Sequence, residues 1–219
     1  MASITAAFDS GNIEVVSIEQ NGEQLSATLN IRFDPFTQTD QKAHAMWFHF
    51  KVTGAKGVPC TFTIANAGKC SYSSAWHGYR ACYSTDRETW LRCPTSYNGS
   101  ELTISLTPGG DAVWLAYFEP FSYEQHQKLV AWCGTMSCRV RSLGKSLDGR
   151  DIEVIEAGEG DKIAWIIGRQ HPGESMAEYW MRGFLHRLLD PNDALGRDLL
   201  VSRITNLLYF FLINTFVLF

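Results

Sequence analysis

A histidine and a glutamate three residues apart, His171 and Glu174, stand inside the stretch Ile166 to Trp180, IIGRQHPGESMAEYW. Imidazole nitrogen and carboxylate oxygen both bind zinc, at about 2.0–2.2 Å, and a catalytic zinc takes three protein ligands plus water. This pair supplies two of the three. The same residues also fit a plainer arrangement, a solvated histidine beside a glutamate that favours the positive end of a helix. Spacing alone does not decide between them. Pro172 restricts the intervening backbone and Gly173 permits conformations closed to other residues, so the two shape a turn.

The flanking segments say where that turn sits. KIAWIIG, Lys162 to Gly168, is a continuous apolar run of the kind buried in a mixed or parallel sheet. Ser175 to Leu189 then carries Met176, Tyr179, Trp180, Phe184, Leu188 and Leu189 at helical spacing. A strand leading into a helix opens an α/β domain, and ligand sites in such domains lie beyond the carboxyl ends of the strands, where His171 and Glu174 fall. Upstream, SCRVRSLGKSLDGRDIEVIEAGEG reads as a hairpin around Asp148-Gly149. SYEQHQKLVAWCG, Ser122 to Gly134, reads as a helix with Ser122 as N-cap and Gln125 completing a capping box, an interdomain connector.

Before that helix the pattern is one of short alternating segments. Two strands flank Asn21-Gly22, and further runs cover Met46 to Val52, Cys60 to Asn66, Tyr79 to Thr85, Glu101 to Thr107 and Ala112 to Phe118. Turns rich in Gly, Pro, Asn or Asp separate them, and Asp86 to Trp90 is one such turn. The expected architecture is α+β in two domains. Residues 1–134 form an antiparallel β-sandwich, and residues 135–219 form the first, incomplete part of an α/β domain with a mixed sheet. Ile204 to Phe219 would span about 24 Å as a helix, short of the ~30 Å hydrocarbon core, and its β-branched and aromatic content suits a buried strand.

Composition narrows the function classes. Nineteen basic residues against 23 acidic ones give a net charge of -4. There is no basic block to track a phosphate backbone, which argues against a nucleic-acid partner. The first residues, MASITAAFDSGNIEVV, lack the basic start and apolar stretch of a signal peptide, so a cytoplasmic setting is expected. The six cysteines are then expected reduced and partly buried, and no Cys-x-x-Cys pair offers a cysteine-rich zinc site.

GRQHPGESMAEYWMRGFLHRLL resembles the first zinc motif of the metallocarboxypeptidases of peptidase family M14, in the form found in the cytosolic carboxypeptidase branch. FEPFSYEQHQKLV closes a β-rich region similar to the amino-terminal domain of that branch, and SLGKSLDGRDIEVIEAG resembles the strand pair that opens its catalytic domain. The likeness runs from about Asp9 to Arg203. It implies zinc-dependent removal of C-terminal residues, with His171 and Glu174 as the first two metal ligands and peptide or protein C-terminal tails, glutamate among them, as substrates. Family members supply a third ligand histidine, carboxylate-binding arginines and a general-base glutamate from later positions. None has a place here, so no catalytic residue is assigned and the chain by itself is expected not to turn over. The competing reading is a protein-binding β-sandwich module or pseudoenzyme fragment.

Other candidates have plainer expectations. His186 is read as a solvated helix-face residue, and Glu178 as a solvated or Arg182-paired carboxylate. His44 and His49, five apart on an extended chain, point to opposite faces and do not share a metal. Trp76, His77 and Tyr79 are expected in interdomain packing, and Cys133 and Cys138 as buried thiols. Oligomeric state is not readable.

Overall fold

Leu25, Ala27 and Leu29 alternate with Ser26, Thr28 and Asn30, and the strand they form buries the first set and half-exposes the second. Such period-two segments build the first part of the chain. The computed structural model describes residues 2–35, 44–160, 162–203 and 206–211. Among the described residues ten strands precede residue 120: β1 (Ser3–Thr5), β2 (Glu14–Gln20), β3 (Leu25–Asn30), β4 (His49–Thr53), β5 (Cys60–Ile64), β6 (Cys82–Ser84), β7 (Leu91–Arg92), β8 (Thr95–Tyr97), β9 (Leu102–Leu106) and β10 (Ala112–Ala116). They form two five-stranded sheets, ordered β1-β4-β10-β6-β7 and β2-β3-β5-β9-β8.

The two sheets share one core. Phe50 of the first meets Phe62 of the second edge-on, with ring centroids 5.5 Å apart, and Val52, Ile64, Ile104 and Leu115 pack in the same cluster. This is the expected sandwich with one departure: β3 and β5 pair in parallel. The Asn21-Gly22 turn forms as expected, Gly22 taking φ +89° between β2 and β3.

Trp76 and Tyr79 pack in this core. Trp76 is buried and its indole Nε1 donates to the Ala67 carbonyl. Tyr79 stacks edge-on against it at 5.2 Å and donates its hydroxyl to the Tyr117 carbonyl. A large aromatic with a satisfied polar tip is cheaper to bury than to expose, even when it stands outside the strands, as Trp76 does at the end of a short 3-10 turn. His49 is also buried, with Nδ1 3.0 Å from Ser10 Oγ. Burial, helped by the positive charge of Arg87, pushes its pKa down to about 3.

A second compact unit begins at Phe121. It holds α1 (Tyr123–Gly134), β11 (Arg139–Lys145), β12 (Asp151–Glu156), β13 (Ile163–Gly168), α2 (Ser175–Leu188), α3 (Ala194–Asp198) and β14 (Asn206–Phe211). The sequence reading placed the division after Gly134. The units divide instead between Pro120 and Phe121, because α1 buries Leu129 and Cys133 against Ile155, Met181 and Leu185 of the second unit. The capping box is present: Ser122 Oγ accepts from Gln125 N at 3.2 Å and Gln125 Oε1 accepts from Ser122 N at 2.7 Å.

The sheet order is β11-β12-β14-β13. β14 pairs antiparallel with β12 and parallel with β13, so the sheet is mixed as expected. Of the terminal apolar run, residues 206–211 form β14, and residues 204–205 and 212–219 lie outside the described residues. β13 is an edge strand among the described residues, and one of its faces is open: Ile163, Trp165 and Ile167 are 61 %, 57 % and 53 % exposed. An apolar run cannot by itself report which of its two faces is covered. All six cysteines are free thiols, with Cys138 half-buried and the other five buried. Among the described residues no helix is long and apolar enough to cross a membrane.

Two measurements check this division. Phe62→Ala is expected to cost about 3–5 kcal/mol in urea unfolding, the usual loss for a fully buried aromatic. A fragment ending at Pro120 should unfold cooperatively, and extension to Gly134 should add nothing to its midpoint, since the partners of α1 lie beyond it.

Candidate metal centre

β13 ends at Gly168 and α2 starts at Ser175, so six residues make the crossing. The turn inside it closes by a hydrogen bond from Glu174 N to the His171 carbonyl at 3.0 Å. Both ligand candidates therefore stand on one turn beyond the carboxyl end of a strand. Both are exposed. Glu174 is the N-cap of α2 but its side chain caps no backbone N–H. Neither side chain hydrogen-bonds or ion-pairs with another described residue, so imidazole and carboxylate are uncommitted.

The backbone strain lies elsewhere than expected. Gly173, expected to supply a conformation closed to other residues, has an ordinary backbone, and a Cβ there would meet nothing within 4 Å. Arg169 takes the left-handed position instead, at φ +49°. That conformation is uncommon for a non-glycine residue. Its side chain is fixed at the same point: Nε donates to the Pro172 carbonyl at 2.9 Å and Nη1 to the Phe121 carbonyl at 2.8 Å.

Behind the turn lies a buried polar cluster. His126 on α1 places Nε2 3.0 Å from Glu153 Oε2 on β12, and Gln127 Nε2 donates to Glu153 Oε1 at 2.8 Å. Burial pushes the Glu153 carboxyl up, but the bonds from His126 and Gln127 outweigh it and hold the group below its ordinary value. Glu178 on α2 is different. It is fully buried, its carboxylate oxygens have no hydrogen-bond partner among the described residues, and Oε1 lies 3.9 Å from His126 Nδ1. Burial pushes its pKa up to about 7, opposed by the charge of Arg169 and reinforced by that of Glu153.

Glu178 is thus neither solvated nor paired with Arg182, whose guanidinium lies over the Tyr179 and Phe121 rings at 5.0 and 5.8 Å. A signal for this was present in the sequence. Glu178, Met181, Leu185 and Leu188 form one buried stripe of α2, while Met176 and Trp180 are exposed. His186 is exposed as expected, resting against the Trp132 ring at 3.9 Å. Because the two carboxylates approach opposite nitrogens of the His126 ring, this cluster cannot chelate a single ion. Among the described residues no group of three or more His, Cys, Asp or Glu side chains could hold a metal.

The cytosolic carboxypeptidase N-terminal domain matches residues 4–118, just over half of the chain, and the zinc carboxypeptidase family matches residues 127–214. The chain belongs to the zinc carboxypeptidases of the cytosolic type. A metallo-carboxypeptidase structure from Burkholderia cenocepacia superposes with a TM-score of 0.86 at 35 % identity, over 96 % of this chain and 55 % of that one. A metallo-carboxypeptidase from Pseudomonas aeruginosa, in complex with (2-guanidinoethylmercapto)succinic acid, gives 0.83 at 39 % identity, over 95 % and 54 %. Cytosolic carboxypeptidase 2 of Danio rerio is 26 % identical over 239 residues, 92 % of this chain and 32 % of that protein. An uncharacterised protein of Zymomonas mobilis is 42 % identical over 195 residues, 89 % of this chain and 49 % of its own length. The chain thus spans about half, or less, of the length of these relatives. The family implies zinc. The donors at positions 171 and 174 fit it in kind, one imidazole and one carboxylate exposed on one turn, and they supply two of the usual three protein ligands.

The buried carboxyl sets a pH dependence in this carboxypeptidase unit. Glu178 stays protonated in the fold up to about pH 7, whereas in the unfolded chain it ionises above its ordinary 4.5. The folded state binds more protons across that interval, so its stability falls as pH rises from 4.5 to 7 and remains lower above. Glu178→Gln is therefore expected to stabilise the chain by about 1–3 kcal/mol at pH 8 and by nearly nothing at pH 4.5, read by urea unfolding at the two pH values.

Proposed function

We propose that His171 and Glu174 are the first two zinc ligands of a metallocarboxypeptidase that hydrolyses C-terminal residues from peptide or protein tails. One observation carries this reading: the imidazole and the carboxylate share one turn beyond β13, both exposed and both uncommitted to any other described side chain. The Glu174 side chain is not engaged in capping the helix it begins, so its carboxylate is left available. A solvated histidine would need no such partner held at a fixed turn beside it.

Zinc, when bound, would polarise a scissile carbonyl and lower the pKa of its water. The part of the chain's own residues is to hold that ion: His171 through a ring nitrogen, Glu174 through carboxylate oxygen. Two protein ligands leave the remaining positions to water, so the 219-residue chain by itself should bind zinc weakly and hydrolyse nothing. The preference for glutamate tails and the cytoplasmic setting rest on the likeness to the cytosolic carboxypeptidases.

Calorimetric titration with zinc tests the assignment. His171→Ala should abolish the binding that the chain shows, and His186→Ala should leave it unchanged. Tight zinc that survives His171→Ala would place the site elsewhere. Peptides ending in glutamate, incubated with the chain and zinc, should remain intact, and robust turnover would refute the expectation that the site is incomplete.

A further inference from the structure

The residue that most constrains the ligand turn is not a ligand. Arg169 is 7 % exposed, sits in the left-handed region, and donates from two different nitrogens of one guanidinium to two backbone carbonyls. One carbonyl, of Pro172, lies between the two ligand candidates. The other, of Phe121, lies immediately before Ser122, the capped start of α1. Phe121 is itself buried and packs edge-on against Tyr179 of α2 at 5.1 Å. The far end of the clamp is therefore the backbone of a residue whose side chain is packed in the core of the unit.

We infer that Arg169 is a positioning residue for the metal turn, tying its Pro172 carbonyl to the foot of α1 so that His171 and Glu174 are held in place before any metal arrives. The inference rests on the zinc reading of those two residues. Three features support it together. A guanidinium offers donors from separate nitrogens in a rigid planar fork, and Arg169 uses two of them on two fixed carbonyls, whereas a lysine ammonium offers all its donors from one atom on a flexible stem. A left-handed arginine is strained and persists only where its surroundings over-determine it. And the buried Glu178 carboxyl, one helical turn beyond Glu174, lies close enough for the positive charge of Arg169 to oppose the rise in its pKa.

The alternative role for Arg169 is a simple counter-charge that stabilises the fold through Glu178. The two roles separate in Arg169→Lys, which keeps the charge and loses the fork. Arg169→Met, Arg169→Lys and His171→Ala are compared with the unaltered chain by amide hydrogen exchange without metal and by calorimetric titration with zinc alone. The clamp predicts faster exchange at the amides of Gln170, His171, Gly173 and Glu174 in both arginine variants, with α1 and the body of α2 unchanged. It also predicts zinc binding weaker by roughly 10- to 100-fold in both, the usual cost of losing a group that orients a ligand. Recovery of wild-type exchange and affinity in Arg169→Lys would overturn it, as would uniform loss of protection through both helices in Arg169→Met. The His171→Ala arm keeps the two ideas apart. If zinc binding survives there, the zinc reading fails. If zinc is lost there and kept in Arg169→Met, the positioning role fails.

Discussion

Parallel pairing of β13 with β14 is the constraint on which the site depends. Two adjacent strands that run the same way cannot be joined by a tight hairpin; the chain must leave one end of the sheet and return to the other. α2 is the body of that return. The six residues between β13 and α2 consequently have to turn the chain at the carboxyl end of the sheet, and both ligand candidates are among them. A segment that must turn anyway, on top of a rigid strand and at the start of a rigid helix, places side chains with little freedom left over.

The same crossing explains why buried charge collects behind the turn. α2 lies against the second unit's core through Met181 and Leu185, and α1 reaches that core through Leu129 and Cys133. Whatever polar groups those helices carry inward lose their water. His126 and Glu153 satisfy one another; Glu178 does not find an equal partner and carries the cost as a displaced pKa. Burying a carboxyl in this way is expensive for stability. It leaves a group next to the site whose protonation is decided by the protein interior more than by bulk solvent.

Local chemistry was legible in the sequence and distant chemistry was not. The Ser122 capping box, the turns at Asn21-Gly22 and Asp148-Gly149, and the strand before the His-Pro-Gly-Glu turn each depend on a few adjacent residues, and each forms where those residues stand. The parallel pairing of β3 with β5 depends on segments thirty residues apart and left no local trace. Trp76 sits in a loop by its neighbours and in the core by its size, and size prevailed. The charge of Glu178 points to solvent and its place on the helix points inward, since the stripe through Met181, Leu185 and Leu188 runs directly through it. Arg169 lies beyond local inference for another reason: a left-handed arginine has no sequence signature, and Gly173 nearby is the residue type that such a conformation favours.

The open face of β13 has an optical consequence. Trp165, in the middle of the stripe from Ile163 to Ile167, is more than half exposed, whereas Trp47 and Trp76 are buried in the sandwich. An indole in water emits at longer wavelength than one in an apolar interior, so the red side of the chain's intrinsic fluorescence is weighted toward Trp165 and the similarly exposed Trp180 of α2. Anything that covers the edge strand would shift that part of the spectrum to the blue and protect it from an aqueous quencher, leaving the emission of the sandwich where it was. The protein thus carries, without any label, a reporter of the state of the sheet edge beside its candidate metal turn.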